Sequence, residues 1–188
     1  MIGMEILMVK KIVFPAILIV GFALVPFAVH ADAYADLQQA RTAFDAVHSW
    51  HAVEQMPNGH TVTVDHVAPD RWRIQVMPGM SEIMIGNNMY MVRNGQSMRL
   101  PMVMPQIQQM VNQNWLKIDP EVKRTAKDLG MQVVNGVRLH AYSFTSKGTA
   151  VKLYLNKDHL PAVTVVTSSN GTVTITYSGY NSPITISP

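Results

Sequence analysis

A mainly β fold is expected: one curled antiparallel sheet of about ten to eleven short strands, left unclosed as a half-barrel under a helical lid. Three observations lead there. After Ser49 the apolar residues alternate with polar ones, as Trp72, Ile74 and Val76 do with Arg71, Arg73 and Gln75, or Val173, Ile175 and Tyr177 with Thr172, Thr174 and Thr176. Four Asn-Gly pairs, at Asn58-Gly59, Asn94-Gly95, Asn135-Gly136 and Asn170-Gly171, fall between such runs. That dipeptide suits a type I′ hairpin turn, whose two central residues both need positive φ. Finally, helical segments are scarce. Ten strands about 4.8 Å apart make a sheet roughly 48 Å wide, and a helix with its side chains covers only about 10–12 Å of it. A sheet with one apolar face and so little cover has to curl to keep that face from water.

The chain opens with Lys10 and Lys11, an almost wholly apolar run from Ile12 to Val29, and Val29-His30-Ala31 at the positions a signal peptidase reads. Residues 1–31 are therefore expected to be a signal peptide cut after Ala31, delivering the protein to the periplasm. The apolar run could also span a bilayer uncleaved, but Pro15, Gly21 and Pro26 interrupt it and the following flank is acidic. What remains, 157 of the 188 residues, suits one domain with a real core.

Within that domain, Leu37, Ala40, Phe44 and Val47 recur at steps of three and four, which predicts an amphipathic helix from Ala35 to Val47. Strands follow, with further turns at Pro69-Asp70, Pro78-Gly79, Asn87-Asn88, Lys147-Gly148 and Asn156-Lys157-Asp158. Helical spacing returns at Val103, Ile107, Met110 and Val111, predicting a short helix or helical loop between Pro101 and Asn114. Asp119 as cap, Pro120 at the first position, Glu121 in the first turn and Gly130 at the end predict another helix, with Val122, Ala126 and Leu129 inward. Its Lys123, Arg124 and Lys127 form a solvated face or a patch for lipid headgroups.

Fifteen basic and twelve acidic residues become 13 and 11 once Lys10, Lys11 and Glu5 leave, and they are well mixed, which argues against a nucleic-acid partner. No cysteine is present, so disulfides, thiolate chemistry and acylation at a lipobox are excluded. Six histidines remain after the leader, without His-x-His or HExxH spacing. His60 and His66 share a strand face but would lie about 20 Å apart. No metal site or cofactor is expected from them. There is no Gly-x-Ser-x-Gly elbow, P-loop or dinucleotide fingerprint, and no carboxylate pair stands out, so an enzyme is disfavoured.

Methionine is the compositional anomaly. Of 14 methionines, nine lie between Met77 and Met110. Flexible thioether side chains suit a wall that adapts to acyl chains, but they also fill irregular cores. A third reading is a copper site, since thioether sulfur binds Cu(I) and Met89-x-Met91 and Met102-x-Met104 place sulfurs close together.

Several phrases resemble the LolA-like envelope carriers: the amphipathic helix before Ser49-Trp50, the run Val67-Ala68-Pro69-Asp70-Arg71-Trp72-Arg73-Ile74, the segment Gly86-Asn87-Asn88-Met89-Tyr90-Met91, and the ending Gly171 to Ile184. The likeness spans nearly all of residues 32–188 and rests on strand and turn phrases. It implies an unclosed barrel of about eleven strands under a helical lid, serving to carry acylated lipoproteins or to bind free lipids or glycolipids. In the dedicated carrier an Arg before the Pro holds the lid. Here that position is Ala68, with Arg71 and Arg73 the nearest cations.

The leading expectation is a monomeric periplasmic carrier of lipid or lipoprotein acyl chains. Its partners would be a lipid or acylated lipoprotein and an inner-membrane transporter or outer-membrane acceptor. Trp72, Ile74, Val76, Ile83, Ile85, Met89 and Met91 are the candidate wall, and Val103, Ile107 and Met110 the candidate lid; alternation means that some wall residues must face outward. The alternatives are an envelope sensor or interaction module with a filled core, and a Met-rich copper-binding protein.

Overall fold

The computed structural model describes residues 32–101 and 120–188. The expected signal peptide and the segment bearing Val103, Ile107 and Met110 lie outside the described residues. The elements are α1 (Ala33–Asp45), β1 (Ser49–Gln55), β2 (Thr61–Val67), β3 (Arg71–Met77), β4 (Met80–Ile85), β5 (Asn88–Arg93), β6 (Gln96–Arg99), α2 (Pro120–Thr125), β7 (Lys127–Val134), β8 (Val137–Ser146), β9 (Thr149–Leu155), β10 (Pro161–Ser168) and β11 (Gly171–Ser178). All eleven strands belong to one antiparallel sheet, ordered β6-β5-β4-β3-β2-β1-β11-β10-β9-β8-β7. Two meanders, β1 to β6 and β7 to β11, are joined where the first strand pairs with the last, His51 opposite Ser178 and Gln55 opposite Thr174. β6 and β7 stay apart as edges, so the sheet is a curled half-barrel, as expected.

Two of the four Asn-Gly pairs make the expected two-residue turn: Asn94-Gly95 (φ 49° and 79°) links Arg93 to Gln96, and Asn135-Gly136 (φ 51° and 79°) links Val134 to Val137. Lys147-Gly148 adopts the same signs of φ between β8 and β9. The other two differ. Met56 N–H donates to His60 O and Gly59 N–H to Met56 O, so Pro57-Asn58-Gly59 forms a three-residue loop in which only Gly59 has positive φ, 81°. Between β10 and β11 the turn residues are Ser169 and Asn170, because Ser168 pairs with Gly171. A Cβ on Gly171 would stand 2.7 Å from Cβ of Pro57, so this glycine allows the two neighbouring hairpin ends to touch.

α1 begins at Ala33, earlier than the spacing suggested, because the Asp32 side chain caps it by accepting from Tyr34 N–H at 3.1 Å. It ends at Asp45, and Val47, though buried, belongs to the extended approach to β1. α2 starts at Pro120 as expected but stops at Thr125, and the residues expected to complete it enter β7. Gly130 (φ 69°) serves a bulge, where its N–H bonds to the Asp128 carboxylate at 2.7 Å, instead of closing a helix.

Both helices lie on one face of the sheet. Leu37 and Ala40 of α1 and Val122 of α2 form a core cluster with Tyr142, Phe144, Val151, Leu153 and Leu155 of β8 and β9. Leu37 is wholly buried there. Leu37→Ala is expected to lower stability by about 2–5 kcal/mol, the range for truncating a buried leucine, as read by urea denaturation.

Candidate functional site

Residues opposite one another in antiparallel strands point to the same side, so the register sorts every side chain. On the helix-bearing face, Ala52, Val64, Ile74, Glu82, Met91 and Met98 form one ladder from β1 to β6. A second holds Trp50, His66, Trp72, Met84, Met89 and Leu100, the last joined through its N–H to Met89 O. In the other direction Glu54 lies beside Ile175, which leads through Thr164, Leu153 and Tyr142 to Asp128 on β7.

This sorting brings Trp72, Ile74, Val76, Met89 and Met91 together on the helix-bearing face. It places Ile83 and Ile85 on the opposite one, beside Arg73 and Arg71. Ile74 and Met89 are buried, and Trp72, Val76 and Met91 are half-buried. The candidate lid residues Val103, Ile107 and Met110 lie outside the described residues. The register also adds residues that the alternation did not single out: Trp50, Val62, Val64, Met84, Met98 and Leu100, and the polar Glu54, His66 and Glu82. Methionines meet in cross-strand pairs, Met84 with Met89 and Met91 with Met98.

One end of the face is aromatic. Trp50 stands 5.5 Å from Trp72 and 5.7 Å from both Phe44 of α1 and Tyr177, and His66 sits 4.2 Å from Trp72 between the two tryptophans. These rings pack on each other, with Trp50 and Tyr177 buried. His66 Nδ1 is buried without a hydrogen-bond partner, and burial, with His48 nearby, lowers the pKa of the ring.

Two polar constellations escaped the sequence reading. On the opposite face, Asp65 accepts from Arg73 Nη2 at 2.6 Å and Nε at 2.8 Å and lies 2.7 Å from His51 Nδ1. Arg73 Nη1 also donates to Thr185 O, and Arg71 Nη1 to Ile186 O. Ser49 Oγ donates to Ser182 O at 2.6 Å. The C-terminal tail is thus strapped across β1 to β3, with Ile186 buried. Arg71 and Arg73 both bond to this strap, on the side away from the helices. On the helix-bearing face, the Tyr142 hydroxyl donates to Asp36 of α1 at 2.9 Å and lies 3.2 Å from His140 Nδ1, whose Nε2 is 2.7 Å from Asp128. Burial first, then the Asp36 carboxylate, raises the Tyr142 pKa far above its ordinary value, so the phenol keeps its proton and acts as a clasp for α1. Among the described residues, no group of three or more His, Asp or Glu comes together to hold a metal ion. Lys123 and Arg124 of α2 are exposed, the former with Nζ 5.7 Å from the Tyr34 ring centre. Lys127 is exposed and opens β7 instead of continuing the helix.

Glu54 and Glu82 stand out on the helix-bearing face. Each has apolar register partners, Val62 and Ile175 for the first and Ile74 and Met91 for the second. Desolvation raises both carboxyl pKa values.

No family model and no curated protein matches the sequence. Among solved structures, the lipoprotein LppX of Mycobacterium tuberculosis superposes with a TM-score of 0.60 at 12% identity, over 82% of this chain and 98% of that one. LprF of Mycobacterium bovis superposes at 0.57 and 17% identity, over 84% and 96%. This chain has their fold. The half-barrel that the sequence resemblance implied is therefore the architecture observed, and the LppX-like sheet has its helices and its methionine-rich strands on a single face.

Because folding raises the Glu54 pKa, there is a pH range in which the native state still holds a proton that the unfolded chain has released. The resulting contribution to stability is complete below the ordinary glutamate value of about 4.5 and is lost as pH rises through the folded value. Glu54→Gln, which stays neutral, is expected to have the higher melting temperature at pH 7.5, with the gap to the parent closing as pH falls toward 4. Thermal melts across that pH series check it.

Proposed function

We infer that the chain is a periplasmic binder and carrier of lipid or lipoprotein acyl chains, held against the helix-bearing face of β1 to β6. The observation that carries this reading is the unequal cover that the described helices give that face. α1 and α2 pack over β8 and β9, whereas Val62, Trp72, Val76, Met91 and Leu100 remain only half-buried, and the nearby Met98 is 59% exposed. Contiguous apolar surface of this kind marks a ligand or partner site more often than bare protein surface. Flexible thioethers let one wall fit chains of different shape. The LppX-like fold supports the reading, as does the resemblance to envelope carriers in the strand and turn phrases. Among the described residues no helix is long and apolar enough to cross a membrane.

On this reading Trp72, Ile74, Val76, Met89 and Met91 are wall residues. Ile83 and Ile85 lie on the other face, beside Arg73 and Arg71. Affinity would come from removing apolar area from water at about 25 cal/mol per Å², less the cost of ordering the ligand.

Purified from bacterial periplasm, the protein is expected to carry a fatty-acyl species visible by native mass spectrometry. Met91→Lys is expected to weaken the binding of a fluorescent fatty acid about tenfold or more, because it puts a charge into the wall. Val137→Lys, at a position 56% exposed on the other face, should leave binding unchanged. A protein that binds no fluorescent fatty acid would contradict the reading. For export, the mass of the periplasmic form is expected to correspond to a chain beginning at Asp32, and a mass that retains the first 31 residues would refute the cut.

A further inference from the structure

The ladder Ala52, Val64, Ile74, Glu82, Met91, Met98 crosses six strands, and Glu82 is its one ionisable member. Its neighbours along β4 on the same face are Met80 and Met84, so the carboxyl group is framed by thioethers and an isoleucine. It makes no hydrogen bond or ion pair with any described residue. Arg93 shares the face as the register partner of Met80, one step diagonal from Glu82, but it is exposed and forms no pair with the carboxyl group.

Such a group changes what the wall accepts. A plain hydrocarbon chain laid along the ladder would strip the remaining water from the Glu82 carboxyl and return nothing, and desolvating an unpaired polar group is costly. A ligand with a hydroxyl or an amide N–H opposite Glu82 restores the lost hydrogen bond, and sites with a buried polar group reject analogues that lack the matching partner. Desolvation has already raised the carboxyl pKa in the free protein, in keeping with a site that water only partly reaches. Glu54, between Val62 and Ile175, repeats the pattern on β1.

We propose that Glu82 makes the apolar wall selective for amphiphiles carrying a hydrogen-bond donor, a hydroxyl or an amide N–H, part-way along an otherwise hydrocarbon body. This rests on the lipid-binding reading above and narrows its ligand class.

The test is a native mass-spectrometric competition, at pH 7.5, between methyl octadecanoate and its monohydroxylated counterparts with the hydroxyl at different carbons. The full processed protein, Glu82→Leu and Glu82→Gln would be compared after circular dichroism shows each to be folded. The parent is expected to retain at least one hydroxylated ester about tenfold over the plain one, the worth of one hydrogen bond to a charged group. Glu82→Leu should lose that preference and hold the plain ester more tightly, while Glu82→Gln, which still offers a carbonyl acceptor, keeps the preference in part. Parent ratios within about twofold of unity for every isomer would overturn the proposal while leaving lipid binding standing, as would a preference that survives in Glu82→Leu. Retention of no ester by any of the three proteins would overturn the lipid-binding reading along with it.

Discussion

The pairing of β1 with β11 holds the architecture together. Every other neighbouring pair of strands is joined by a hairpin and would find its partner locally, but this one closes across more than a hundred residues of sequence. Without it the chain would be two meanders, each with apolar residues on one side. With it, Trp50 and Ala52 of the first strand and Ile175 and Tyr177 of the last become a shared core. The same join fixes the tail, since Asn181 N–H donates to Ser49 O and its side chain accepts from His48 N–H. A contact of such sequence separation carries a large loop-closure cost, and the buried aromatic cluster beside it is a source of the compensating free energy.

Much of the β architecture was legible because its signals are local. Alternation placed the strands, and Asn94-Gly95 and Asn135-Gly136 marked turns that formed as expected. Asn58-Gly59 shows where local reading stops. A two-residue turn there would pair His51 with His66, but the observed three-residue loop pairs His51 with Asp65 and Trp50 with His66. One residue of loop length moves a whole strand from one face to the other, and the demand that Val62 and Val64 join Ala52 in the core decides between them. β4 offered no such guide, since Met80, Met84, Ile83 and Ile85 put apolar side chains on both faces, and only pairing with β3 separates them. Gly130 misled for a related reason, because the positive φ that closes a helix also serves a β-bulge.

The register also divides the polar groups by role. On the face away from the helices, Asp65 is paired with both Arg73 and His51, and Arg73 also bonds the tail. On the helix-bearing face, Asp36, Tyr142, His140 and Asp128 form a second set that holds α1 against β7 and β8. Glu82 belongs to neither set. It lies among apolar residues, and its position relative to half-buried Met91 and buried Ile74 follows from strand pairing alone, which is why composition and motif reading passed over it.

An LppX-like sheet, described helices over one half of one face, and methionines gathered on the other half together describe an adaptable apolar surface on a rigid support. Methionine methyl NMR measures this claim directly. The protein would be labelled at its methionine methyl groups and titrated with a lysophospholipid below its critical micelle concentration. The account predicts shifts of the Met84, Met89, Met91 and Met98 methyls, with that of Met131, exposed on edge strand β7, unmoved. Saturating lipid that moves only Met131, or no methyl group at all, would contradict it.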